Sequence, residues 1–276
     1  MKTIPFFVLL GLLVSCGPGT PTEETTAEAV APEVVGEVVT YQTDTTKMIG
    51  YLAYDKNSTV KKPGILVVHE WWGHNDYARE RAKMLAELGY VALAVDMYGD
   101  GKQADHPADA GKFAMSVMGN FPTAKARFLA ALEELKNNPH VNPDEIGAIG
   151  YCFGGGVVLA MADDGVDLDG VVSFHGSLGL PVMPEAGKIK ARVLVLNGAD
   201  DPFVTQEQIT AYTTAMDSAK ADYQLINYPG AVHAFTDKGA TAKGEKFNLP
   251  LAYNEAADKQ SWEEMKKFFL KTFPQQ

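Results

Sequence analysis

The chain has 276 residues, of which 46% are hydrophobic and 21% are charged. This composition is ordinary for a globular protein, and the length suffices for one large α/β domain with a buried core. The net charge of −11 argues against nucleic acid as a partner, because binding a phosphate backbone requires a basic surface.

Residues 1–15 have the features of an export signal. Lys2 precedes an apolar stretch at residues 4–14, which is shorter than the ~20 residues of a membrane span and fits a secretory signal. Residues 13–16, read LVSC, resemble a bacterial lipobox, which implies cleavage before Cys16 and a lipid on its sulfur. The alternative is an ordinary secretory signal with a chance cysteine. We expect a lipid anchor in the cell envelope, at the outer membrane or the periplasmic face.

A tether and a single domain are predicted after the anchor. Residues 16–37 are rich in Pro, Thr, Glu and Ala, so they bury too little surface to fold. Residues 38–276 show neither an internal repeat nor a linker and are expected to form one domain. The predicted elements in chain order are a hairpin of strands 37–43 and 48–54, strand 64–68, helix 77–88, strand 90–95, a cap segment 98–120, helix 123–135, strand 146–150, a helix from 155, strands 170–174 and 192–196, helix 206–219, strand 223–228 and helix 261–273.

The strands that follow the hairpin are continuous runs of Val, Ile and Leu separated by helices. This pattern predicts a mostly parallel, twisted sheet with helices on both faces. Ligands of such open sheets bind at the carboxyl ends of the strands. Side chains that directly follow a strand are therefore the candidates for a functional site.

Residues 150–155, read GYCFGG, form the most informative motif of the chain. They lie between an apolar strand and a helical segment of small residues, which is the setting of a sharp turn that presents a nucleophile. Glycine at Gly150 and Gly154 would avoid a collision across such a turn. Cys152 would then lie at a helix N-terminus, where the helix dipole favours the nucleophilic thiolate. A disulfide framework is excluded, because Cys16 is the only other cysteine.

A thiol nucleophile needs a base, and in folds with this turn the histidine comes last along the chain. His233 follows the strand at 223–228 and a Pro-Gly turn, so it is the candidate base. His175 also lies downstream of Cys152 but precedes the candidate acids. We therefore interpret His175 as structural or as lining the cleft.

The acid that orients the base is expected after the strand at 192–196, in residues 197–204, read NGADDPFV. Asp201 has the spacing to the following valine that is common in hydrolases with this turn. Asp200 is the alternative, although a short carboxylate at this place often caps a turn or a helix.

The loop at residues 69–73, read HEWWG, is the candidate partner of the turn in an oxyanion hole. The backbone amides of Phe153 and Trp71 would be the two donors. Glu70 in this loop could hydrogen-bond the resting thiol of Cys152 and take its proton when substrate displaces it. The alternative is a strand-end carboxylate that faces water.

Four segments together resemble the dienelactone hydrolase family. They are residues 150–155 (GYCFGG), 69–73 (HEWWG), 96–99 (DMYG) and 230–235 (GAVHAF). The resemblance extends from about residue 43 to residue 273. It implies an α/β-hydrolase fold without a metal or organic cofactor.

The resemblance also implies a Cys–Asp–His triad of Cys152, Asp201 and His233, assisted by Glu70. One departure concerns the substrate, because dienelactone hydrolases bind a substrate carboxylate through arginines, one of them shortly after the catalytic histidine. The corresponding place here holds Asp237, which would repel an anion, and the cap segment contains Lys112 but no arginine. We therefore expect an ester or lactone other than a muconate-type one.

The sequence thus predicts a cysteine hydrolase of small-molecule esters or lactones that forms a thioester acyl-enzyme. The residues expected to contact the substrate are Trp72, Tyr98, Lys112 and Phe235. Two alternatives remain open. One is a lipoprotein that binds a ligand without catalysis, and the other is an acyltransferase or peptidase on the same fold.

Overall fold

The structure, a computed structural model, describes residues 1, 31–43 and 45–273. The predicted signal peptide, the lipidation site at Cys16 and most of the predicted tether lie outside the described residues. The first strand begins at Val34, which is earlier than the predicted end of the tether at residue 37. Val34 and Val35 are already paired with Asp55 and Tyr54, and this backbone pairing is not visible in the polar composition of the segment.

Strands and helices alternate along the described chain after an initial hairpin. The strands are β1 (Val34–Gln42), β2 (Lys47–Asp55), β3 (Lys62–Val68), β4 (Val91–Val95), β5 (Val141–Tyr151), β6 (Gly170–Phe174), β7 (Arg192–Gly198) and β8 (Tyr223–Tyr228). The helices are α1 (Asp76–Glu87), α2 (Pro107–Met118), α3 (Phe121–Lys136), α4 (Phe153–Asp163), α5 (Gln206–Ala219), α6 (Ala240–Phe247) and α7 (Glu255–Thr272). The predicted hairpin and the alternation of strands and helices are confirmed.

All eight strands form one sheet in the order β1-β2-β4-β3-β5-β6-β7-β8. The contacts of β2 with β1 and with β4 are antiparallel, and the other neighbouring strands are parallel. Parallel strands need crossover connections, and the helices between them provide these. The predicted α/β fold with a mostly parallel sheet is therefore confirmed.

Helices cover both faces of the sheet, because strand side chains point alternately to either side. In β3, Leu66 and Val68 belong to a core shared with α3, α4 and α5, where Phe128 is fully buried. Ile65 belongs to the opposite core, shared with α1 and α7, where Phe269 is fully buried. Two apolar layers enclosing the central strands explain why these strands read as unbroken apolar runs.

Sheet order brings distant segments together at the carboxyl edge. Val68, the last residue of β3, is paired in parallel with Gly150 near the end of β5. The loop at residues 69–73 and the turn at Cys152 therefore leave the sheet side by side. The ends of β7 and β8 are neighbours as well, because Gly198 is paired with Tyr228. The loops that carry Asp201 and His233 thus share this edge.

Three further elements differ clearly from the prediction. Strand β5 begins at Val141 rather than 146, and α7 begins at Glu255 rather than 261, where Asn254 caps it by accepting a hydrogen bond from the Ala257 amide. Helix α6 was not predicted, because its polar sequence ATAKGEKF has no clear apolar face. None of the helices in the described ranges is both long and apolar enough to cross a membrane.

Candidate active site

Cys152 lies alone between β5 and α4, in a strained backbone conformation. Its φ of 53° and ψ of −114° lie outside the regions that non-glycine residues usually adopt. A Cβ on Gly150 would come within 2.1 Å of the Gly154 carbonyl oxygen, and one on Gly154 within 2.3 Å of the Val68 carbonyl oxygen. Glycine is therefore required at both positions. At Gly154 the obstacle is the neighbouring strand β3 rather than Gly150.

The imidazole of His233 lies between a carboxylate and the thiol. Its Nδ1 is 2.7 Å from Oδ2 of Asp201, and both residues are buried. Cys152 is near enough to His233 for its charge to act on the ionisation of the imidazole. Asp200 is exposed, and its backbone amide donates to the Ala231 carbonyl. The structure thus brings Cys152, His233 and Asp201 together and leaves Asp200 outside the group.

The surroundings of His233 favour its protonated form. Burial by itself lowers the pKa of this imidazole, but the charge of Cys152 and the hydrogen bond to Asp201 outweigh burial and raise the pKa well above its ordinary value. An imidazole held in this way can accept the proton of the thiol and remain charged beside the resulting thiolate. The pair is chemically suited to nucleophilic attack.

The loop at residues 69–73 is fixed by side chains on both sides. His69 accepts a hydrogen bond from the Met97 amide through Nε2 at 3.2 Å, and its ring stacks on Phe153 with 5.7 Å between centroids. The hydroxyl of Tyr98 donates to the Trp71 carbonyl at 2.9 Å. Among residues 31–43 and 45–273, the Trp71 and Phe153 amides have no hydrogen-bond acceptor. Both amides are therefore available to an oxyanion.

Glu70, in the same loop, carries a buried carboxyl group. Its side chain belongs to a residue that is 3% exposed, and neither carboxyl oxygen has a hydrogen-bond partner in the described part of the chain. Burial and then the charge of Asp237 raise its pKa to about 7, although Lys243, His233 and Arg81 act in the opposite direction. The alternative of a water-facing carboxylate is wrong, because the strand end is covered. Glu70 can hold or release a proton near neutral pH.

The four residues predicted to contact substrate have different surroundings. Trp72 lines a cavity of about 430 Å³, and Tyr98 is buried against the Trp71 carbonyl. Phe235 is fully buried in the core, and Lys112 is exposed on α2 with its ammonium 3.3 Å from Asp109. The prediction of substrate contact is therefore wrong for Phe235, whose side chain is fully buried. For Lys112 it stays a prediction.

Helix α6 contributes a group that the sequence analysis missed. Lys243 forms an ion pair with Asp237 at 2.7 Å and lies 5.5 Å from the centre of the Trp72 ring. It lines the cavity beside Trp72 together with Lys246 and Phe247. The expectation that Asp237 repels an anion does not hold, because Lys243 compensates its charge. The only sequence signal was the spacing from Asp237 to Lys243, which needs a helix in between.

A thiol, an imidazole and a carboxylate at the carboxyl edge of a mostly parallel sheet define an α/β-hydrolase. The chain belongs to the dienelactone hydrolase family, which it matches over residues 48–273. Members of this class hydrolyse esters or lactones, and the chain is an enzyme of this kind.

Individual proteins show the same relationship. The chain is 31% identical over 211 residues to Protein usf of Aquifex pyrophilus. The aligned region covers 74% of this chain and 88% of that protein. The solved structure named m3DLH is 38% identical with a TM-score of 0.82, covering 87% of this chain and 99% of that one. The dienelactone hydrolase-like promiscuous phosphotriesterase P91 from metagenomic libraries is 36% identical with a TM-score of 0.80, covering 87% and 98%.

Proposed function

We propose that this protein hydrolyses carboxylic esters or lactones with Cys152 as the nucleophile. The observation that carries the proposal is that His233 is hydrogen-bonded to Asp201 and is near enough to Cys152 to be affected by its charge. A carboxylate–imidazole–thiol arrangement of this kind generates a nucleophile and stabilises the cation that forms with it. The strained turn at Cys152 supports the same role, because strain of this kind is concentrated at functional sites.

In the proposed first step the thiol proton passes to His233, and the sulfur of Cys152 forms a bond to the carbonyl carbon. The carbonyl oxygen becomes an oxyanion held by the amides of Phe153 and Trp71. Losing one such donor costs about 3–4 kcal/mol in other enzymes. The intermediate then expels the alcohol, which takes the proton from His233, and a thioester remains. In a lactone the alcohol stays attached to the acyl group.

In the second step His233 removes a proton from water, and the hydroxide oxygen attacks the thioester carbonyl. The C–S bond breaks and returns the thiol of Cys152 with the proton from His233. A thiolate is a better leaving group than an alkoxide, so the first intermediate reverts unless the substrate's own leaving group is good. This favours enol esters, aryl esters and lactones over amides.

Glu70 has a separate proposed role in the resting enzyme. Its carboxyl group would hydrogen-bond the thiol of Cys152, take the thiol proton when substrate enters, and pass that proton to His233 before the sulfur attacks the carbonyl carbon. The supporting observations are its unpaired, buried oxygens and its pKa of about 7. A carboxyl that is half-ionised near neutral pH is suited to such a transfer.

The test compares the purified wild type with Cys152→Ala on p-nitrophenyl acetate, an aryl lactone and a phosphotriester. The phosphotriester is included because P91, which is similar in sequence and fold, is named a phosphotriesterase. We expect Cys152→Ala to lose ester and lactone turnover with an unchanged circular dichroism spectrum. Retained turnover by Cys152→Ala would exclude sulfur as the nucleophile.

Alkylation by iodoacetamide separates the enzyme from a ligand-binding lipoprotein with an inert cysteine. We expect Cys152 of the wild type to react at pH 6 to 7, and His233→Ala to react much more slowly there. An inert thiol in both proteins would favour the binding role. Turnover that rises when an alcohol or amine acceptor is added would indicate an acyltransferase, and cleavage of peptide amides would indicate a peptidase.

We further propose that the protein is exported and anchored through a lipid on Cys16. The support is the sequence LVSC at residues 13–16, directly after an apolar stretch. The test is labelling with radioactive palmitate in an expressing bacterium, where the wild type and Cys152→Ala should carry the label. Cys16→Ser should not, and a labelled Cys16→Ser protein would refute the proposed anchor.

A further inference from the structure

His175 is a buried histidine that directly follows β6. It is fully buried, and its φ of 40° lies in the left-handed region that non-glycine residues rarely adopt. Its amide donates to the Leu196 carbonyl at 2.8 Å, which holds it against β7. Its ring nitrogen Nδ1 accepts a hydrogen bond from the Cys152 amide at 3.1 Å, and the same amide also donates to the Phe174 carbonyl at 3.0 Å. The strained residue Cys152 is thus held by a second strained residue.

The other ring nitrogen of His175 contacts the loop that carries the base. Nε2 is 2.7 Å from Oγ1 of Thr236, three positions after His233 in the sequence. The Cys152 amide can only donate, so Nδ1 accepts, and the neutral ring carries its proton on Nε2 and donates to Thr236. The ring therefore joins the backbone of the nucleophile to the segment of the base.

Surrounding groups hold Thr236 in place. The hydroxyl of Tyr77 lies 2.6 Å from Oγ1 of Thr236. The guanidinium of Arg81 donates to the Thr236 carbonyl at 2.6 Å and is paired with Asp258 at 2.8 Å. Both Tyr77 and Arg81 belong to α1. The hydrogen-bond partner of His175, Thr236, is thus itself held in place by residues of helix α1.

The environment of His175 keeps its ring neutral. Burial and then the charges of His233 and Arg81 lower its pKa well below the ordinary value. The two imidazole rings of His175 and His233 are 5.4 Å apart at 67°. A second charged ring at this distance would oppose protonation of His233, so neutrality of His175 is compatible with the proposed mechanism.

We propose that His175 is a positioning residue, which couples the Cys152 amide to the Thr236 hydroxyl and thereby fixes the sulfur relative to the ring of His233. The inference rests on the proposed function, because the two aligned groups are the proposed nucleophile and base. A misplacement of about 1 Å can lower the rate of a reaction roughly 100-fold. The expected effect is therefore on the chemical step rather than on substrate binding.

The test uses Thr236→Val, which keeps the shape of the side chain and removes the acceptor for His175. We expect kcat for p-nitrophenyl acetate to fall about tenfold or more with KM within about twofold, as for loss of alignment. Thr236→Ser restores a hydroxyl and should recover most of the lost kcat. His175→Phe should show at least the loss of Thr236→Val, provided that its circular dichroism spectrum is that of the wild type.

The control is Tyr212→Phe, which removes a buried hydroxyl bonded to Asp163 at 3.4 Å, at the far end of α4. If Thr236→Val keeps wild-type kcat, or if Thr236→Ser fails to recover it, the inference is overturned. It is also overturned if Tyr212→Phe lowers kcat to the same extent as Thr236→Val, because general loosening would then suffice. Full activity of Cys152→Ala would instead refute the proposed function. That outcome is independent of the Thr236 variants.

Discussion

Glu70→Gln tests whether the buried carboxyl group of Glu70 lowers the stability of the fold. The side chain is buried and unpaired, and its pKa rises from an ordinary 4.5 to about 7 through burial and the charge of Asp237. Glutamine has nearly the same size and imitates the protonated form. The substitution therefore removes the ionisation and leaves the packing in place.

The pKa values determine the sign and size of the effect. Between pH 4.5 and 7 the folded protein binds more protons at Glu70 than the unfolded chain does, so the free energy of unfolding falls as the pH rises through this interval. Above pH 7 the free energy of unfolding has been lowered by the full amount that the pKa shift of Glu70 implies. At about 1.4 kcal/mol for each pKa unit, the raised pKa of Glu70 lowers the free energy of unfolding by about 3 kcal/mol at pH 8 and by about 1 kcal/mol at pH 5.

The assay is urea unfolding at pH 5 and pH 8 with a reductant present. We expect Glu70→Gln to be more stable than the wild type by about 3 kcal/mol at pH 8, and by about 1 kcal/mol or less at pH 5. The control is Glu133→Gln on the exposed face of α3, which should differ little between the two pH values. Alkylation of Cys152 by iodoacetamide should be slower in Glu70→Gln, because the proposed proton acceptor is gone.

A stability difference between Glu70→Gln and wild type that is the same at both pH values would refute this reasoning. It would mean that Glu70 does not titrate between pH 5 and 8 in the folded protein. A stability gain without slower alkylation would confirm the buried charge but remove the proposed role of Glu70 toward the thiol. Gain in stability with loss of reactivity is the pattern expected of a functional residue.

Two further predictions concern the acid and the turn. Asp201→Asn should lower kcat for p-nitrophenyl acetate by about 1,000-fold or more, because it removes the partner that orients His233. Asp200→Asn is the matched control and should stay within about threefold, and equal losses in steady-state assays would contradict the assignment. Gly150→Ala should destabilise the fold by about 3 kcal/mol or more through its clash with the Gly154 carbonyl. Gly111→Ala on α2, where a Cβ meets nothing within 4 Å, should instead be neutral or stabilising in urea unfolding.

The fold was predictable because its strongest signals are local. The apolar runs of β3, β4 and β6 lie where they were predicted, because strands buried on both faces are rich in apolar residues, as in ILVV of β3 and VALAV of β4. Helix α6 was missed, because it is short and its sequence ATAKGEKF is mostly polar. Lys243 was missed for the same reason.

The candidate site was predictable in its order and only partly in its contacts. Glycines around Cys152, a histidine after the last strand and an aspartate after the strand before it are recognisable as a pattern along the chain. The choice of Asp201 over Asp200 agrees with the 2.7 Å contact to His233. The hydrogen bonds of His175 were not predictable, because they join three strand ends that are far apart in sequence.

The sequence by itself determined the class of fold and the residue types that meet at the sheet edge. Burial periodicity, glycine at a strained turn and chain order are properties of short segments, and each can be read without coordinates. Tertiary structure alone decided the state of the groups that the segments carry. The raised pKa of Glu70, the charge of Asp237 balanced by Lys243 and the neutral ring of His175 depend on what surrounds each group in space. Desolvation and charge act across distances between atoms, and spacing along the chain does not fix those distances.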